Sequence, residues 1–183
     1  MKDQIIYTLI RLGMIGLGKL PAILRRLMTD LSANIWFRLD KRHRNVVFNN
    51  IRRAYPDQFT ESEAWQFVRT NFKHTAGIFF DVAWSYSLEP EALLSHFEIR
   101  GFNHVKQALD RGTGAILLTC HMGNFELMAS GIAKTNLRPT VLYRRLDFAP
   151  VERLVKEMRE RFGVTAMPIR KAAPKVIDAL SKG

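Results

Sequence analysis

The feature that most constrains the fold is a repeated change of hydrophobic pattern in the second half of the chain. From residue 97 onward, short apolar runs alternate with longer segments whose apolar residues recur every three or four positions. The short runs are typical of strands and the longer segments of helices. Such alternation indicates an α/β domain with a mostly parallel sheet. The predicted strands are residues 97–99, 115–119, 140–143 and 164–167, and the predicted helices are residues 103–111, 125–133, 150–162 and 174–180.

The first half of the chain lacks this alternation and indicates a helical N-terminal part. Residues 45–55 predict a basic helix that ends before Pro56, because proline disfavours helix at the residue before it. Thr60 and Glu63 have the spacing of a capping box, which begins a longer helix. A short helix is expected to begin at Pro90. The apolar stripe of the longer helix comprises Ala64, Phe67, Val68, Phe72, Phe79 and Val82.

An apolar run occupies residues 5–24, and its only charged members are Arg11 and Lys19. A membrane-spanning helix needs about 20 apolar residues, so the run fits a tilted span, a helix lying in the interface or a buried core helix. It lacks the small-residue cleavage site of a signal peptide. We expect residues 1–24 to be a membrane anchor or interfacial helix, and residues 25–183 to hold the basic helical segment and the α/β domain.

The charge of the chain restricts its partners. The formal net charge is +11, and eight Lys or Arg residues oppose two Asp residues between positions 25 and 53. Such a surface attracts polyanions, which include nucleic acid, anionic lipid and acidic proteins. Basic residues after the apolar run favour the cytoplasmic face of the inner membrane. The single cysteine, Cys120, excludes an internal disulfide and fits a reducing compartment.

Nucleic-acid binding is an alternative that would explain the charge. However, the chain shows no helix-turn-helix, zinc-finger or RNA-recognition signature. Nucleic-acid binding would also leave the apolar run at residues 5–24 without a purpose. The sequence therefore favours a membrane surface over nucleic acid as the polyanion.

A histidine follows the predicted buried strand at residues 115–119, at the point where the chain leaves the sheet. Ligands in open α/β sheets gather at the carboxyl ends of the strands, so His121 is a candidate for chemistry. His121 and Glu126 would be about 140° apart on a regular helix. They can converge only if His121 lies in a loop and Glu126 in the first helical turn, with Gly123 allowing a tight turn and Asn124 capping the helix.

Such a pair is suited to general-base catalysis. A carboxylate on one imidazole nitrogen fixes the tautomer and leaves the other nitrogen to take a proton from a hydroxyl. Three alternatives remain open: a structural histidine, a metal site and catalysis by Cys120. His-x4-Glu is not a zinc spacing, and the side chain of Cys120 would point to the opposite face of the strand from that of His121.

The stretch from His121 to Glu126 resembles the catalytic histidine–acid motif of the bacterial lipid A biosynthesis (lauroyl/myristoyl) acyltransferases, which are related to the glycerolipid acyltransferases. A lone His-x4-Glu would be weak evidence, but the resemblance spans essentially all 183 residues. The other matching segments are, in order, the apolar N-terminus, Arg42-His43-Arg44-Asn45-Val46, Asn49-Asn50-Ile51, Tyr55-Pro56, Gly101-Phe102, Tyr143-Arg144 and residues 179–183.

The resemblance implies transfer of a fatty acyl group from a thioester, on acyl carrier protein or coenzyme A, to a hydroxyl of a membrane glycolipid, a lipid A precursor above all. His121 would be the general base and Glu126 would orient it, with no acyl-enzyme, metal or cofactor. Arg144 and Arg145 are candidates for binding an anionic headgroup or phosphate, with ordinary solvated charges as the alternative. Gly123 and Asn124 would chiefly shape the turn and are further candidate substrate contacts.

Two other functions remain open, a catalytically inactive membrane-bound scaffold and a metal-assisted hydrolase. The chain also stops after a helix where the βα alternation would continue with a strand, and Gly183 has the place of a helix C-terminal cap. The family that it resembles continues beyond this point. We therefore expect residues 1–183 to lack a C-terminal part of the domain and to be inactive alone.

Overall fold

A computed structural model describes residues 1–112 and 114–181 of the chain. Its two strands, β1 (Thr140–Tyr143) and β2 (Thr165–Pro168), pair in parallel. The helices are α1 (Lys2–Gly18), α2 (Ala22–Leu39), α3 (Lys41–Ala54), α4 (Glu61–Ser87), α5 (Pro90–Leu94), α6 (Phe102–Leu109), α7 (Phe125–Ile132), α8 (Ala149–Glu160) and α9 (Ala173–Ser181), with a 3₁₀ turn at Ala133–Thr135.

Helix α4 is the centre of the N-terminal half, and α1, α2 and α3 pack against it. Its start is fixed by the predicted capping box. The Glu63 backbone N–H donates to Thr60 Oγ1 at 3.3 Å, and the Thr60 N–H donates to Glu63 Oε2 at 2.8 Å. A cap of this kind stabilises a helix by about 1 kcal/mol. The prediction of a long helix beginning at this box is confirmed.

The core of this half forms where α2 and α3 cross α4. Val68 and Phe72 of α4 are buried, and the Phe72 ring lies 5.0 Å from that of Trp36. Of the predicted apolar stripe, Ala64, Val68 and Phe72 belong to this core, whereas Phe67 and Phe79 are exposed. The predicted stripe is too wide, because α1, α2 and α3 together leave part of the surface of α4 exposed.

The apolar run at residues 5–24 is not one helix, contrary to the prediction. Helix α1 ends at Gly18, and α2 begins after Pro21. The proline ring disfavours helical geometry at the preceding residue, which forces the break. Among the described residues no single helix has the length and apolarity to cross a bilayer, although α1 and α2 meet that test together and are bent by 118° at the break.

The strands predicted at residues 140–143 and 164–167 are confirmed within one residue. Thr140 lies opposite Thr165, and Tyr143 lies opposite Pro168. Helix α8 connects the two strands and packs on β2. The helices predicted in the second half are also present, with ends that differ by up to two residues. The predicted cap at Gly183 lies outside the described residues.

Two strand predictions are wrong, and with them the expected alternation of four βα units. Residues 97–99 have no strand partner, and the Phe97 carbonyl accepts instead from Lys134 Nζ at 2.6 Å. Residues 115–119 are also irregular, and Leu118 is 97% exposed rather than buried. A strand needs a neighbour to satisfy its backbone groups. In the part of the chain that the structure describes, the sheet has two strands and neither is paired with these segments.

Candidate functional site

The turn before α7 has the glycine conformation that the sequence predicted. Gly123 adopts φ +62°, which glycine reaches without a steric penalty, and a Cβ there would meet nothing within 4 Å. Asn124 occupies the N-cap position and Glu126 the first turn of α7. A carboxylate is favoured at this end of a helix by the helix dipole. The turn therefore requires glycine for its backbone conformation and not for space.

His121 lies on the surface just before this turn. Its ring packs against the Phe125 ring, with centroids 4.3 Å apart and planes inclined by 50°. No hydrogen bond joins His121 to Glu126 in the described part of the chain. The structure thus brings the predicted pair to the two sides of one short turn without closing the contact. Cys120 is an exposed free thiol beside His121.

The Glu126 carboxylate is bound by Arg159, which was not among the predicted site residues. Arg159 Nη2 donates to Glu126 Oε1 at 2.7 Å and to Oε2 at 2.9 Å, and Nε donates to Oε2 at 3.2 Å. The two side chains are 24% and 15% exposed, for Glu126 and Arg159 respectively. Ion pairs shielded from solvent in this way are stronger than those on an open surface. Arg159 therefore holds the carboxylate in one orientation.

Arg159 is itself positioned by β1 and α8. It lies in the last turn of α8, where a cation is favoured by the helix dipole, and its guanidinium lies 5.1 Å from the Tyr143 ring centroid. The sequence carries one signal for it, a basic residue at the end of an amphipathic helix. Nothing in the sequence pairs that residue with Glu126, because 33 positions separate them.

A hydrogen-bonded network fixes the chain after β1. The Tyr143 hydroxyl donates to Glu152 Oε1 at 2.7 Å, and the Leu146 N–H donates to Oε2 at 2.9 Å. Burial and the bond to Glu152 raise the pKa of Tyr143. Burial opposes ionisation of Glu152 as well, but the bonds from Leu146 and Tyr143, together with the charges of Arg145 and Arg159, keep the pKa of Glu152 below its ordinary value. This network shapes the loop that carries the two predicted arginines.

Arg144 and Arg145 are exposed on this loop. Arg144 Nη2 lies 3.7 Å from Asp147 Oδ2, a loose ion pair on the surface. The charge of Arg145 acts on Tyr143 and Glu152 and favours their ionised forms. Within residues 1–112 and 114–181, neither arginine contacts His121 or Glu126. Both remain candidates for binding an anionic group that approaches from solvent.

Asn124 departs from its predicted role as a capping side chain. Its side chain makes no capping hydrogen bond to α7. Both Oδ1 and Nδ2 are buried, and neither has a protein partner. A buried polar group without a partner costs about 1–3 kcal/mol, so these atoms need a further explanation.

A groove of about 310 Å³ lies between α6 and α7, next to the segment that leads to His121. Leu117 of that segment lines it, and Thr119 Oγ1 lies 3.2 Å from Sδ of Met128 on its wall. Most of the lining is apolar, which is typical of sites for apolar ligands. The apolar lining residues include Phe97, Ile99, Phe102, Val105, Leu117, Met128, Ile132 and Leu137.

Comparison with known proteins assigns the chain to a family. The family model of the bacterial lipid A biosynthesis acyltransferases matches residues 2–183. No curated protein and no solved structure matches the chain significantly. Because the family match covers nearly the whole sequence, the chain belongs to the bacterial lipid A biosynthesis acyltransferase family.

Proposed function

We propose that the protein transfers a fatty acyl group from a thioester, on acyl carrier protein or coenzyme A, to a hydroxyl of a lipid A precursor. The observation that carries this proposal is the His-x4-Glu motif of a lipid A acyltransferase family member, with Glu126 held by Arg159 at the first turn of α7. Membership of the family supports acyl transfer in lipid A synthesis. The donor carrier and the acceptor hydroxyl are the proposed details.

His121 is the proposed general base. A carboxylate offers about four lone-pair sites, so Glu126 can accept from Arg159 and still accept an N–H from the His121 ring. Catalytic hydrogen bonds are often open without substrate and tighten when it binds. His121 is exposed and precedes a glycine turn. We propose that its ring moves toward Glu126 when substrate binds.

The reaction then proceeds by direct transfer. The second imidazole nitrogen of His121 takes the proton of the acceptor hydroxyl. At the same time the hydroxyl oxygen bonds to the carbonyl carbon of the thioester, and a tetrahedral intermediate forms. The tetrahedral intermediate collapses with cleavage of the C–S bond, and the thiolate leaves with the proton from the imidazolium. Atoms and charges balance without an acyl-enzyme and without a metal. Glu126 stabilises the imidazolium formed between the two steps.

The groove between α6 and α7 is the proposed site of the acyl chain. It is apolar, and it adjoins the segment from Leu117 to His121. Asn124, with its unpartnered amide, and the neighbouring Gly123 are proposed to contact the acceptor. Arg144 and Arg145 are proposed to bind a phosphate of the acceptor or of the phosphopantetheine arm of the donor. Arginine matches phosphate geometry through paired N–H groups.

The charge and the lipid acceptor support a membrane location. A net charge of +11 attracts anionic headgroups and would also steer an acidic carrier protein. We propose that the protein works at the cytoplasmic face of the inner membrane. Nucleic acid is not a proposed partner.

A histidine variant tests the catalytic proposal. His121→Ala should lower acyl transfer by a factor of about 10²–10⁴, because the general base is lost. The matched control is His104→Ala, since His104 is another exposed histidine, on α6. The assay measures transfer from acyl carrier protein and coenzyme A thioesters to a lipid A precursor in detergent, with thermal unfolding measured in parallel. The assay is run on the full reading frame that contains residues 1–183. Near-normal turnover of a folded His121→Ala protein would contradict the assignment, and no turnover by the full reading frame without the substitution would favour the scaffold.

A further inference from the structure

Helix α8 presents charged side chains to two different parts of the protein. Glu152 and Arg159 are seven positions apart, so they lie within about 20° of each other on one face of the helix. Arg153 and Glu157 are four positions apart, and they lie about 130° around the helix from that face. The first face binds the candidate orienting carboxylate, whereas the second face meets α1. Helix α8 therefore connects α1 to the candidate site.

The contact between α1 and α8 is made by interlocking polar groups. The Tyr7 hydroxyl donates to Glu157 Oε2, and Arg153 Nε donates to Glu157 Oε1 at 2.9 Å. The Arg153 guanidinium lies 4.0 Å from the Tyr7 ring centroid, and its Nη1 donates to Gln4 Oε1 at 2.8 Å. We call these four residues, Gln4, Tyr7, Arg153 and Glu157, the α1–α8 clasp.

Tyr7 is the buried member of the clasp, with only 5% of its surface exposed. Its hydrogen bond to Glu157 raises the pKa of Tyr7, so the hydroxyl stays protonated and continues to donate at neutral pH. A phenylalanine ring would fill nearly the same space, and packing alone would therefore not require the hydroxyl. The hydroxyl serves the polar contact with α8.

Helix α1 also supports the other anchor of α8. Just after α8, Arg161 donates from Nη1 to the Tyr86 carbonyl at 3.1 Å and from Nη2 to the Leu88 carbonyl, at the end of α4. Arg11 of α1 donates from Nε to the hydroxyl of the same Tyr86 at 3.0 Å. The position of α8 thus depends on α1 in two places.

The contact with Glu126 depends on where α8 places Arg159. Arg159 Nη2 lies 2.7 Å and 2.9 Å from the two carboxylate oxygens, and such a paired contact needs a fixed guanidinium plane. Arg159 is in the last turn of α8, so a small tilt of the helix displaces it. In enzymes, a misplacement of about 1 Å caused far from the reacting atoms can lower a rate by about 10²-fold.

We propose that α1 is a positioning element of the candidate active site, in which Tyr7 acts through Glu157 and α8 to hold Arg159 against Glu126. This inference rests on the proposed function, because it takes Glu126 as the residue that orients His121. In the described part of the chain, Tyr7 and Glu157 do not contact His121, so they are positioning residues. Helix α1 is thus part of the catalytic machinery.

Removal of one hydroxyl tests the clasp in the full reading frame that contains residues 1–183. Tyr7→Phe should lower kcat for acyl transfer by about 10-fold and leave KM within about twofold, because the substrate contacts stay while Glu126 is displaced. The matched control is Thr8→Val, which removes an exposed hydroxyl that donates to a carbonyl of the same helix, and it should keep kcat. An unchanged kcat for Tyr7→Phe would overturn the proposal.

A double-mutant cycle separates positioning from a general loss of structure. Arg159→Lys keeps the charge but loses the paired contact with Glu126. Adding Tyr7→Phe to Arg159→Lys should lower kcat by less than about twofold, because the contact that Tyr7 protects is already lost. A further 10-fold loss would show that Tyr7 acts independently of Arg159, and the proposal would be wrong. If thermal unfolding shows that Tyr7→Phe does not fold, Glu157→Ala breaks the clasp from α8 and takes its place in the cycle.

Hydrogen exchange of the α8 amides reads the clasp without catalysis. Mass spectrometry should show exchange over residues 149–160 that is about 10-fold faster in Tyr7→Phe and unchanged in Thr8→Val. Turnover by a His121→Ala protein would refute the proposed function, and the positioning role with it. An inactive His121→Ala protein, with unchanged kcat and unchanged exchange in Tyr7→Phe, would refute the positioning role alone.

Discussion

The two halves of the chain use their apolar residues differently. In residues 1–94, large apolar side chains from α2, α3 and α4 meet in one core around Val68 and Phe72. In residues 95–181, the most apolar segment leaves Leu118 in solvent, and polar contacts such as Glu126–Arg159 fix the elements. A helix satisfies its own backbone and can then pack by one face, whereas an apolar strand needs a neighbouring strand first. The comparison teaches that apolarity alone does not bury a segment.

The largest expected effect contrasts a core residue with an exposed one. Phe72→Ala should lower the free energy of unfolding by about 3–5 kcal/mol, because it leaves a cavity beside Trp36. Leu118→Ala should change it by less than about 0.5 kcal/mol, because that side chain has little contact to lose. Chemical denaturation of the two variants measures the difference. Comparable losses for both would show that residues 115–119 are buried in solution and would remove the contrast.

A glycine pair tests how closely α1 approaches α4. Gly18→Ala should destabilise the protein by about 3 kcal/mol, because the new methyl group would meet the Ala83 backbone and the Ser87 side chain. Gly16→Ala is the matched control, since nothing lies within 4 Å of a Cβ there. The control should stabilise α1 by about 0.5–1 kcal/mol through helix propensity. Thermal unfolding of both variants measures the two changes in stability. If Gly18→Ala does not lower the stability, α1 does not pack closely against α4 in solution.

The smallest expected effect concerns the hydrogen bonds that Glu152 accepts in the second half of the chain. The folded-state pKa of Glu152 is held below its ordinary value of 4.5. A lowered pKa means that the ionised carboxylate contributes stability above the unfolded-state value, and that this stability is lost as pH falls through the folded-state value. Glu152→Gln should therefore flatten the dependence of stability on pH below about 4.5. Denaturation at a series of acidic pH values measures this slope, and an unchanged slope would assign the acid sensitivity to other carboxylates.

Local features were predictable from the sequence. The capping box at Thr60 and Glu63, the helix after it and the strands β1 and β2 appear where the pattern placed them. The positive φ of Gly123 follows from the need for a tight turn before α7. These features depend on residues within a few positions of each other, so a local pattern contains the necessary information.

Two of the errors concern relations between distant residues. Residues 97–99 and 115–119 have strand-like composition, but the described chain gives neither a partner. A third error is local, because the prediction of one helix over residues 5–24 overlooks the break at Pro21. The catalytic roles of His121 and Glu126 stay predictions, to be tested by the histidine variants.

The sequence by itself determined the family, the helices of the second half, the positive charge and the short motif that joins His121 to Glu126. Only the tertiary structure decided that Arg159 binds Glu126 and that α2 turns its leucines outward. Helices and turns form from hydrogen bonds between near neighbours, and the local sequence specifies them. An ion pair across 33 positions, or the choice of which helix face is covered, depends on how whole elements pack, and that packing is set by the chain as a whole.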